Sequence, residues 1–202
     1  MIQAIIFDVD GVLIRSCDTN GNFLWMKNLE EDLKISKSLV KKFFKNNWEE
    51  ALVGKKDTKD LIKEFFEAEN IKIDPEFFLK YWHDQDTRVD KDLFKKVLEL
   101  SKSGYKLYLA SNQDKYRSDY LWNHLQLKHN FRDIFTSGYL GFKKPERTFF
   151  ELVEEKISLS SEQLLFIDDS KTNIIEAKKL GWSAYHYTDY LSAKQDIFDK
   201  LL

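Results

Sequence analysis

Short apolar runs alternate with longer amphipathic segments along this chain of 202 residues. Four of the runs predict β-strands, at residues 2–7, 105–110, 164–167 and 183–187, and a weaker fifth candidate lies at 134–137. The first three runs are almost continuously apolar, which is typical of strands that helices cover on both faces. The fourth run is more mixed in character, and we expect it near an edge of the sheet.

Helical patterns fill the intervals between these runs from residue 91 onward. Apolar residues recur at helical spacing before Gly104, after the second run, after Pro145 and before Gly181. Proline is favoured in the first turn of a helix and glycine directly after its end. Strand and helix therefore alternate, which predicts an α/β fold with a doubly wound, mostly parallel, Rossmann-like sheet.

Residues 15–90 break this alternation, because several amphipathic helical stripes follow one another there without a strand between them. The stripes are rich in aromatic residues such as Phe43 and Trp48, and the core of a helical bundle explains them most simply. A crossover of this length is typical of an inserted functional unit. We predict an α/β core domain of residues 1–14 and 91–202, with an α-helical cap domain of residues 15–90.

Composition narrows the class of protein. Lys and Arg total 32 against 34 Asp and Glu, a formal charge of −2, whereas proteins that track nucleic-acid phosphates usually carry a basic surplus. A single cysteine, Cys17, excludes an internal disulfide framework and a cysteine-rich metal site. No secretory signal follows Met1, and no apolar run is long enough to cross a bilayer. We expect a cytoplasmic globular protein whose partner is neither nucleic acid nor a membrane.

Polar residues follow three predicted strands where each strand ends, and in open α/β sheets ligands bind beyond these carboxyl ends. The residues are Asp8 and Asp10 after the first strand, Ser111 and Asn112 after the second, and Asp168 and Asp169 after the third. Carboxylates brought together raise one another's pKa values unless a cation is present. Because the cluster offers oxygen ligands without His or Cys, Mg²⁺ is the cation that we expect.

A lysine adds positive charge to the residues that we expect near this acidic cluster. Lys144 stands immediately before Pro145 in the segment GFKKPERTFF, ahead of a predicted helix. A cation beside a carboxylate cluster indicates an anionic substrate, and a phosphoryl group suits the combination of Mg²⁺, a lysine and a hydroxyl donor. The neighbouring Lys143 is expected to be solvated.

Four short motifs resemble those of the haloacid dehalogenase-like hydrolase superfamily, in the family's order. They are DVDGV, LASN, the Lys144–Pro145 pair after a glycine, and FIDDSKTN. The helical insertion directly after the first motif resembles the helical-cap subgroup of that superfamily. The resemblance implies a phosphatase that acts on a small phosphorylated metabolite such as a sugar phosphate.

The resemblance also implies roles for individual residues. Asp8 would be the nucleophile that forms an aspartyl-phosphate. Asp10 would be the general acid and base, and its backbone carbonyl would bind Mg²⁺. Ser111 and Asn112 would hold the phosphoryl oxygens, and Lys144 would neutralise charge on both the nucleophile and the phosphate.

The remaining acidic residues are implied to serve the metal. Asp169 would bind Mg²⁺ together with Asp8 and Asp10, and Asp168 would assist. Asn173, one helical turn further on, would support these ligands from behind. Members of the superfamily that cleave carbon–halogen bonds lack an aspartate at the position of Asp10, so the resemblance disfavours dehalogenation.

Two other functions remain open beside hydrolysis. A phosphomutase of the β-phosphoglucomutase kind would share every motif residue, although such enzymes typically carry a histidine early in the cap, and residues 19–22 contain none. A phospho-aspartate signalling or binding protein without turnover would use a similar set of groups. Stable phosphorylation without turnover would favour that reading.

The segment VGKKDTKD in the predicted cap permits two interpretations. Lys55 and Lys56 could meet a second anionic group of the substrate. Alternatively, Asp57 and Asp60 cap the next helix and the two lysines are simply exposed.

Overall fold

A computed structural model describes residues 1–18 and 20–202, so Thr19, in the segment that lacks a histidine, lies outside the described residues. The described chain forms a parallel sheet in the order β3-β2-β1-β4-β5, and the predicted α/β fold is confirmed. The strands are β1 (Ala4–Phe7), β2 (Lys106–Ser111), β3 (Ile134–Thr136), β4 (Leu164–Asp168) and β5 (Ser183–His186). The mixed fourth run is the edge strand β5, as its pattern predicts.

The central strand β1 explains why the first apolar run is continuous. All its residues are buried, because β2 and β4 flank it and helices cover both faces of the sheet. Phe7 lies opposite Leu109 on one side and Ile167 on the other. The carboxyl ends of the three strands are therefore level, and the polar residues that follow them meet at one edge.

Helices occupy the rest of the fold. The α-helices are α1 (Leu29–Leu33), α2 (Lys37–Leu52), α3 (Thr58–Ala68), α4 (Pro75–Gln85), α5 (Lys91–Lys102), α6 (Lys115–Asp119), α7 (Ser137–Leu140), α8 (Arg147–Ile157), α9 (Lys171–Lys179), α10 (Tyr190–Ala193) and α11 (Asp199–Leu201). Short 3₁₀ turns lie at Leu24–Met26, Leu127–His129 and Ser161–Gln163, and π turns at Tyr120–His124 and Lys194–Phe198. In this described part of the chain, no helix is long and apolar enough to span a membrane.

The helices α1 to α4 enclose an apolar core of their own, separate from the cores on the two faces of the sheet. Aromatic rings dominate it, and Trp25 packs against both Phe78 and Trp82 with ring centroids 6.1 and 5.5 Å away. The aromatic stripes are thus bundle core, as their spacing predicts, except for the exposed Phe77. The exact limits of the core and cap domains stay a prediction.

The two segments that connect these helices with the sheet lie side by side. The backbone N–H of Arg15 donates to the carbonyl of Arg88 at 2.9 Å, and that of Asp90 donates to the carbonyl of Leu13 at 2.8 Å. Ile14 forms an antiparallel bridge with Val89 between them. This pairing fixes where the chain leaves the sheet and where it returns.

One helix start differs from the prediction. Pro145 does not lie in the first turn of a helix, because α8 begins at Arg147 with Glu146 as its N-cap, and the Lys144–Pro145 peptide bond is cis. The segment before α8 forms a turn, in which the N–H of Glu146 donates to the carbonyl of Lys143 at 2.8 Å, and the side chain of Asn112 hydrogen-bonds the backbone of Lys144.

Candidate active site

The carboxylate of Asp8 is the centre of the cluster that the sequence predicts. Its Oδ1 accepts hydrogen bonds from the hydroxyl of Ser111 at 2.7 Å and from the N–H of Val9 at 2.6 Å. Its Oδ2 lies 2.9 Å from Nζ of Lys144. Burial raises the pKa of the Asp8 carboxyl, Lys144 opposes this, and the charge of Asp168 adds to the increase.

Lys144 is buried among acceptors, with Nζ 2.7 Å from Oδ2 of Asp168 and 2.8 Å from the carbonyl of Ala110. Burial acts to lower the pKa of Lys144, but the two carboxylates outweigh it and the pKa is raised. Asn112 fixes the lysine from the other side, because its side chain donates to the carbonyl of Lys144 and accepts from its N–H, at 2.9 and 2.8 Å. Asn112 therefore positions Lys144, and its own contact with a substrate stays a prediction.

The Asp168 carboxylate is buried and fully hydrogen-bonded. Besides Lys144, it accepts from the N–H of Ser170 at 2.7 Å and from the side-chain amide of Asn173 at 3.0 and 3.1 Å. Asn173 thus supports the acidic pair from α9, where the sequence places it. These bonds hold Asp168 in one orientation.

Asp169 completes a group of acidic side chains that could hold a metal. One carboxylate oxygen from each of Asp8, Asp168 and Asp169 lies within 4.8 Å of the others. Partial burial and the charge of Asp168 raise the pKa of Asp169. Lys144 supplies a single positive charge to these three carboxylates, so an additional cation suits the cluster, and hard oxygen ligands suit Mg²⁺.

Gly11 makes room for Asp169. Its φ is +82°, and a Cβ atom at this position would lie only 2.1 Å from Oδ2 of Asp169. A larger side chain would displace the carboxylate of Asp169, so the turn after Asp10 favours glycine both for its backbone conformation and for this close approach.

Gln113 is a residue of the site that the sequence reasoning missed. Its side-chain amide donates to Oδ2 of Asp10 at 2.7 Å, while Oδ1 of Asp10 is buried without a hydrogen-bond partner among the residues described. Side chains two residues apart at the end of a strand leave by the same face. The spacing of Ser111 and Gln113 is thus a signal that could have identified it.

The prediction for Lys143 and the interpretation of Asp57 as a helix cap have different outcomes. Lys143 is not simply solvated, because its ammonium forms an ion pair with Glu49 of α2. Asp57 is the N-cap of α3 and accepts from the N–H groups of Lys59 and Asp60. Its carboxylate therefore caps the helix, as the second interpretation of that segment states.

The two lysines beside this cap differ from each other. Lys55 is exposed, as the same interpretation expects, whereas Lys56 is only partly exposed and pairs with Glu64 at 2.6 Å. Neither is needed to explain the acidic cluster.

Known proteins resemble this chain over most of its length. The family model for haloacid dehalogenase-like hydrolases matches residues 5–185. A phosphoglycolate phosphatase from Vibrio cholerae is 34% identical over 93 residues, which are 46% of this chain and 41% of that protein. The sesquiterpene phosphatase astK from Aspergillus oryzae is 34% identical over 67 residues, covering 33% and 34% of the two chains. The chain thus matches only about a third to two fifths of the length of these relatives.

Solved structures share the fold. A HAD-family enzyme from Bacteroides thetaiotaomicron, in complex with magnesium and inorganic phosphate, superposes with a TM-score of 0.77 at 21% identity, covering 93% of this chain and 95% of that one. The L-2-haloacid dehalogenase from Xanthobacter autotrophicus gives a TM-score of 0.64 at 20% identity, covering 91% and 76%. With the match over residues 5–185 and the four motifs at one edge of the sheet, the chain belongs to the haloacid dehalogenase-like hydrolase family.

Proposed function

We propose that this protein is a Mg²⁺-dependent phosphatase that hydrolyses a small phosphomonoester through an aspartyl-phosphate on Asp8. The observation that carries the proposal is the setting of the Asp8 carboxylate, held at 2.7 Å by the hydroxyl of Ser111 and at 2.9 Å by the ammonium of Lys144. Family membership and the phosphatases among the relatives support it.

The chemistry divides between two aspartates. A carboxylate oxygen of Asp8 attacks phosphorus, and the bond from phosphorus to the substrate's alcohol oxygen breaks while Asp10 donates its proton to that oxygen. Asp10 then takes a proton from water, whose oxygen attacks phosphorus and releases phosphate and free Asp8. Ser111 and Lys144 stabilise the negative charge on the phosphoryl oxygens in both steps.

The acidic cluster fits a magnesium ion. Asp8, Asp169 and the backbone carbonyl of Asp10 would hold Mg²⁺, with Asp168 assisting through its bonds to Lys144 and Asn173. When bound, the ion supplies the positive charge that offsets the phosphate and the clustered carboxylates. We also propose that residues 15–90 are a cap domain that excludes water from the reaction.

Phosphate release tests the proposal. Purified protein with Mg²⁺ should release phosphate from p-nitrophenyl phosphate and from sugar phosphates, and EDTA should abolish the release. Asp8→Asn keeps the shape of the side chain but removes the nucleophile, so activity should fall by on the order of 10³-fold or more. Asp92→Asn, at an exposed aspartate of α5, is the matched control. Activity that survives both Asp8→Asn and EDTA would contradict the mechanism.

Product analysis separates hydrolysis from transfer. Glucose phosphates should yield free glucose and inorganic phosphate in equal amounts. An isomerised sugar phosphate without free phosphate would indicate a mutase instead, and a stable phosphoprotein without turnover would indicate a signalling role.

A further inference from the structure

Two consecutive carboxylates at the end of β4 are held in different ways. That of Asp168 is buried and accepts hydrogen bonds from Lys144, Ser170 and Asn173. In the described part of the chain, no group of another residue donates a hydrogen bond to the carboxylate of Asp169. The position of the Asp169 carboxylate therefore depends on how the backbone of this residue is held.

The imidazole of His186 contacts that backbone. Its Nε2 lies 2.9 Å from the carbonyl oxygen of Asp169. A carbonyl oxygen can only accept, so Nε2 carries the proton and donates it. His186 is the last residue of β5 and lies opposite Asp168 in the parallel pairing of β4 with β5. The end of the edge strand thus supports the end of its neighbour.

A second bond from the same strand end holds the other residue of the acidic pair. The backbone N–H of Tyr187 donates to the carbonyl of Asp168 at 2.9 Å. Any residue except proline can form this backbone bond, whereas the bond to the carbonyl of Asp169 needs a side-chain donor. Of the two, only the bond from His186 depends on the identity of the residue.

The direction of this carbonyl affects the metal-binding group. The peptide unit of the carbonyl joins Asp169 to Ser170, the N-cap of α9, and its orientation sets the ψ angle of Asp169. The side-chain rotamers that a residue can adopt depend on its φ and ψ angles. Rotation of the peptide would therefore move the Asp169 carboxylate relative to those of Asp8 and Asp168, with which it forms the acidic cluster.

We infer that His186 is a positioning residue for Asp169 and that it raises the affinity of the acidic cluster for Mg²⁺. The inference rests on the metal site of the proposed function and adds to it a residue outside the four motifs. Loss of a hydrogen bond that orients a metal ligand typically costs about 10–100-fold in metal affinity. Because His186 is partly exposed and acts through the backbone, we expect a loss at the lower end of this range.

Magnesium binding in the absence of substrate tests the inference. His186→Phe and His186→Ala remove the donor, whereas His186→Gln retains an N–H donor near the position of Nε2. EDTA-treated protein is titrated with MgCl₂ and followed by calorimetry and by the rise in the thermal unfolding temperature. The Kd for Mg²⁺ should rise about 10-fold in both variants without a donor and stay within about 3-fold of the wild-type value in His186→Gln.

A neighbouring residue of β5 provides the matched control. Tyr185→Phe removes the hydroxyl that donates to Asp196 at 3.0 Å, and it should bind Mg²⁺ like the wild type. A role in packing alone would reverse the order, with His186→Phe closest to the wild type and His186→Gln weaker. That order, or equal Kd values in all variants, would overturn the inference. If His186→Phe does not fold, the comparison of His186→Ala with His186→Gln decides.

The binding measurement also separates this inference from the proposed function. Equal Mg²⁺ affinities, together with phosphate release by the wild type, would overturn the role of His186 and leave the phosphatase function intact. A wild-type protein that binds no Mg²⁺ would overturn both the metal site of the proposed function and the inference.

Discussion

The ammonium of Lys144 lies 2.9 Å from the carboxylate of Asp8, and both side chains are almost completely buried. The same ammonium also contacts Asp168 at 2.7 Å, so one lysine links the ends of β1 and β4. Two carboxylates at this depth would repel one another strongly without it. The contact therefore serves the stability of the fold as well as the chemistry that we propose.

Replacing Lys144 with methionine should damage both properties. Activity should fall by about 10²–10³-fold, because the charge that stabilises the phosphoryl oxygens is gone. The free energy of unfolding should fall by about 3–5 kcal/mol, since a buried ion pair has lost one partner. Steady-state kinetics and urea unfolding would measure the two effects. Lys143→Met is the matched control, and its partly exposed ion pair with Glu49 should contribute only about 0–1 kcal/mol.

Gly11→Ala should weaken the binding of magnesium. The added Cβ would lie 2.1 Å from Oδ2 of Asp169, so the carboxylate would have to move. Displacing a ligand or its support typically costs about 10–100-fold in metal affinity. Gly104→Ala is a close control, because Gly104 also has a positive φ but its Cβ would meet nothing within 4 Å. Titration of activity with Mg²⁺ measures the effect, and equal apparent affinities in the two variants would contradict it.

The sequence predicts the sheet and the acidic edge for a physical reason. Strands covered on both faces must be apolar without interruption, so β1, β2 and β4 are visible as continuous runs. Parallel strands bring their carboxyl ends to one edge, and this places Asp8, Ser111 and Asp168 near one another before any distance is known. The structure supplies the distances.

The cap-side contacts could not be predicted in the same way. Asp86 and Arg117 are 31 residues apart and lie in different elements, and each has the pattern of an ordinary charged residue near a helix end. Both are buried where Arg117 of α6 donates to the carbonyls of His83 and Asp86 at the end of α4. The ion pair of Lys143 with Glu49 and the delayed start of α8 depend on the same kind of long-range contact.

Gln113→Leu should impair the transfer of a proton from Asp10. The amide of Gln113 holds Oδ2 of Asp10 at 2.7 Å, and leucine of similar volume cannot donate that hydrogen bond. We expect kcat to fall about 10-fold or more for alkyl phosphates, whose alcohols need a proton to leave. The loss should be smaller for p-nitrophenyl phosphate, since nitrophenolate leaves without one. Gln195→Leu, at an exposed glutamine, should leave both rates unchanged. Equal losses on the two substrates would indicate a purely structural role for Gln113.

His83 should make the stability of the protein depend on pH below neutrality. Burial, with the nearby charge of Arg117, lowers the pKa of His83 from 6.5 to about 3. Between these values the unfolded chain binds a proton that the folded chain does not bind. His83 therefore leaves the free energy of unfolding unaffected by pH above about pH 6.5. Below that pH, it lowers the free energy of unfolding by about 1.4 kcal/mol per pH unit.

Comparison of the wild-type protein with His83→Gln isolates this effect. From about pH 7 to about pH 5, the free energy of unfolding of the wild type should fall by roughly 2 kcal/mol more than that of the variant. The buried carboxyl of Asp86, whose raised pKa has the opposite dependence, is present in both proteins and cancels in the difference. Urea unfolding at several pH values measures it, and His129→Gln, at an exposed histidine, should follow the wild type. A difference between wild type and His83→Gln that does not change with pH would show that burial does not shift the pKa of His83, and would contradict the prediction.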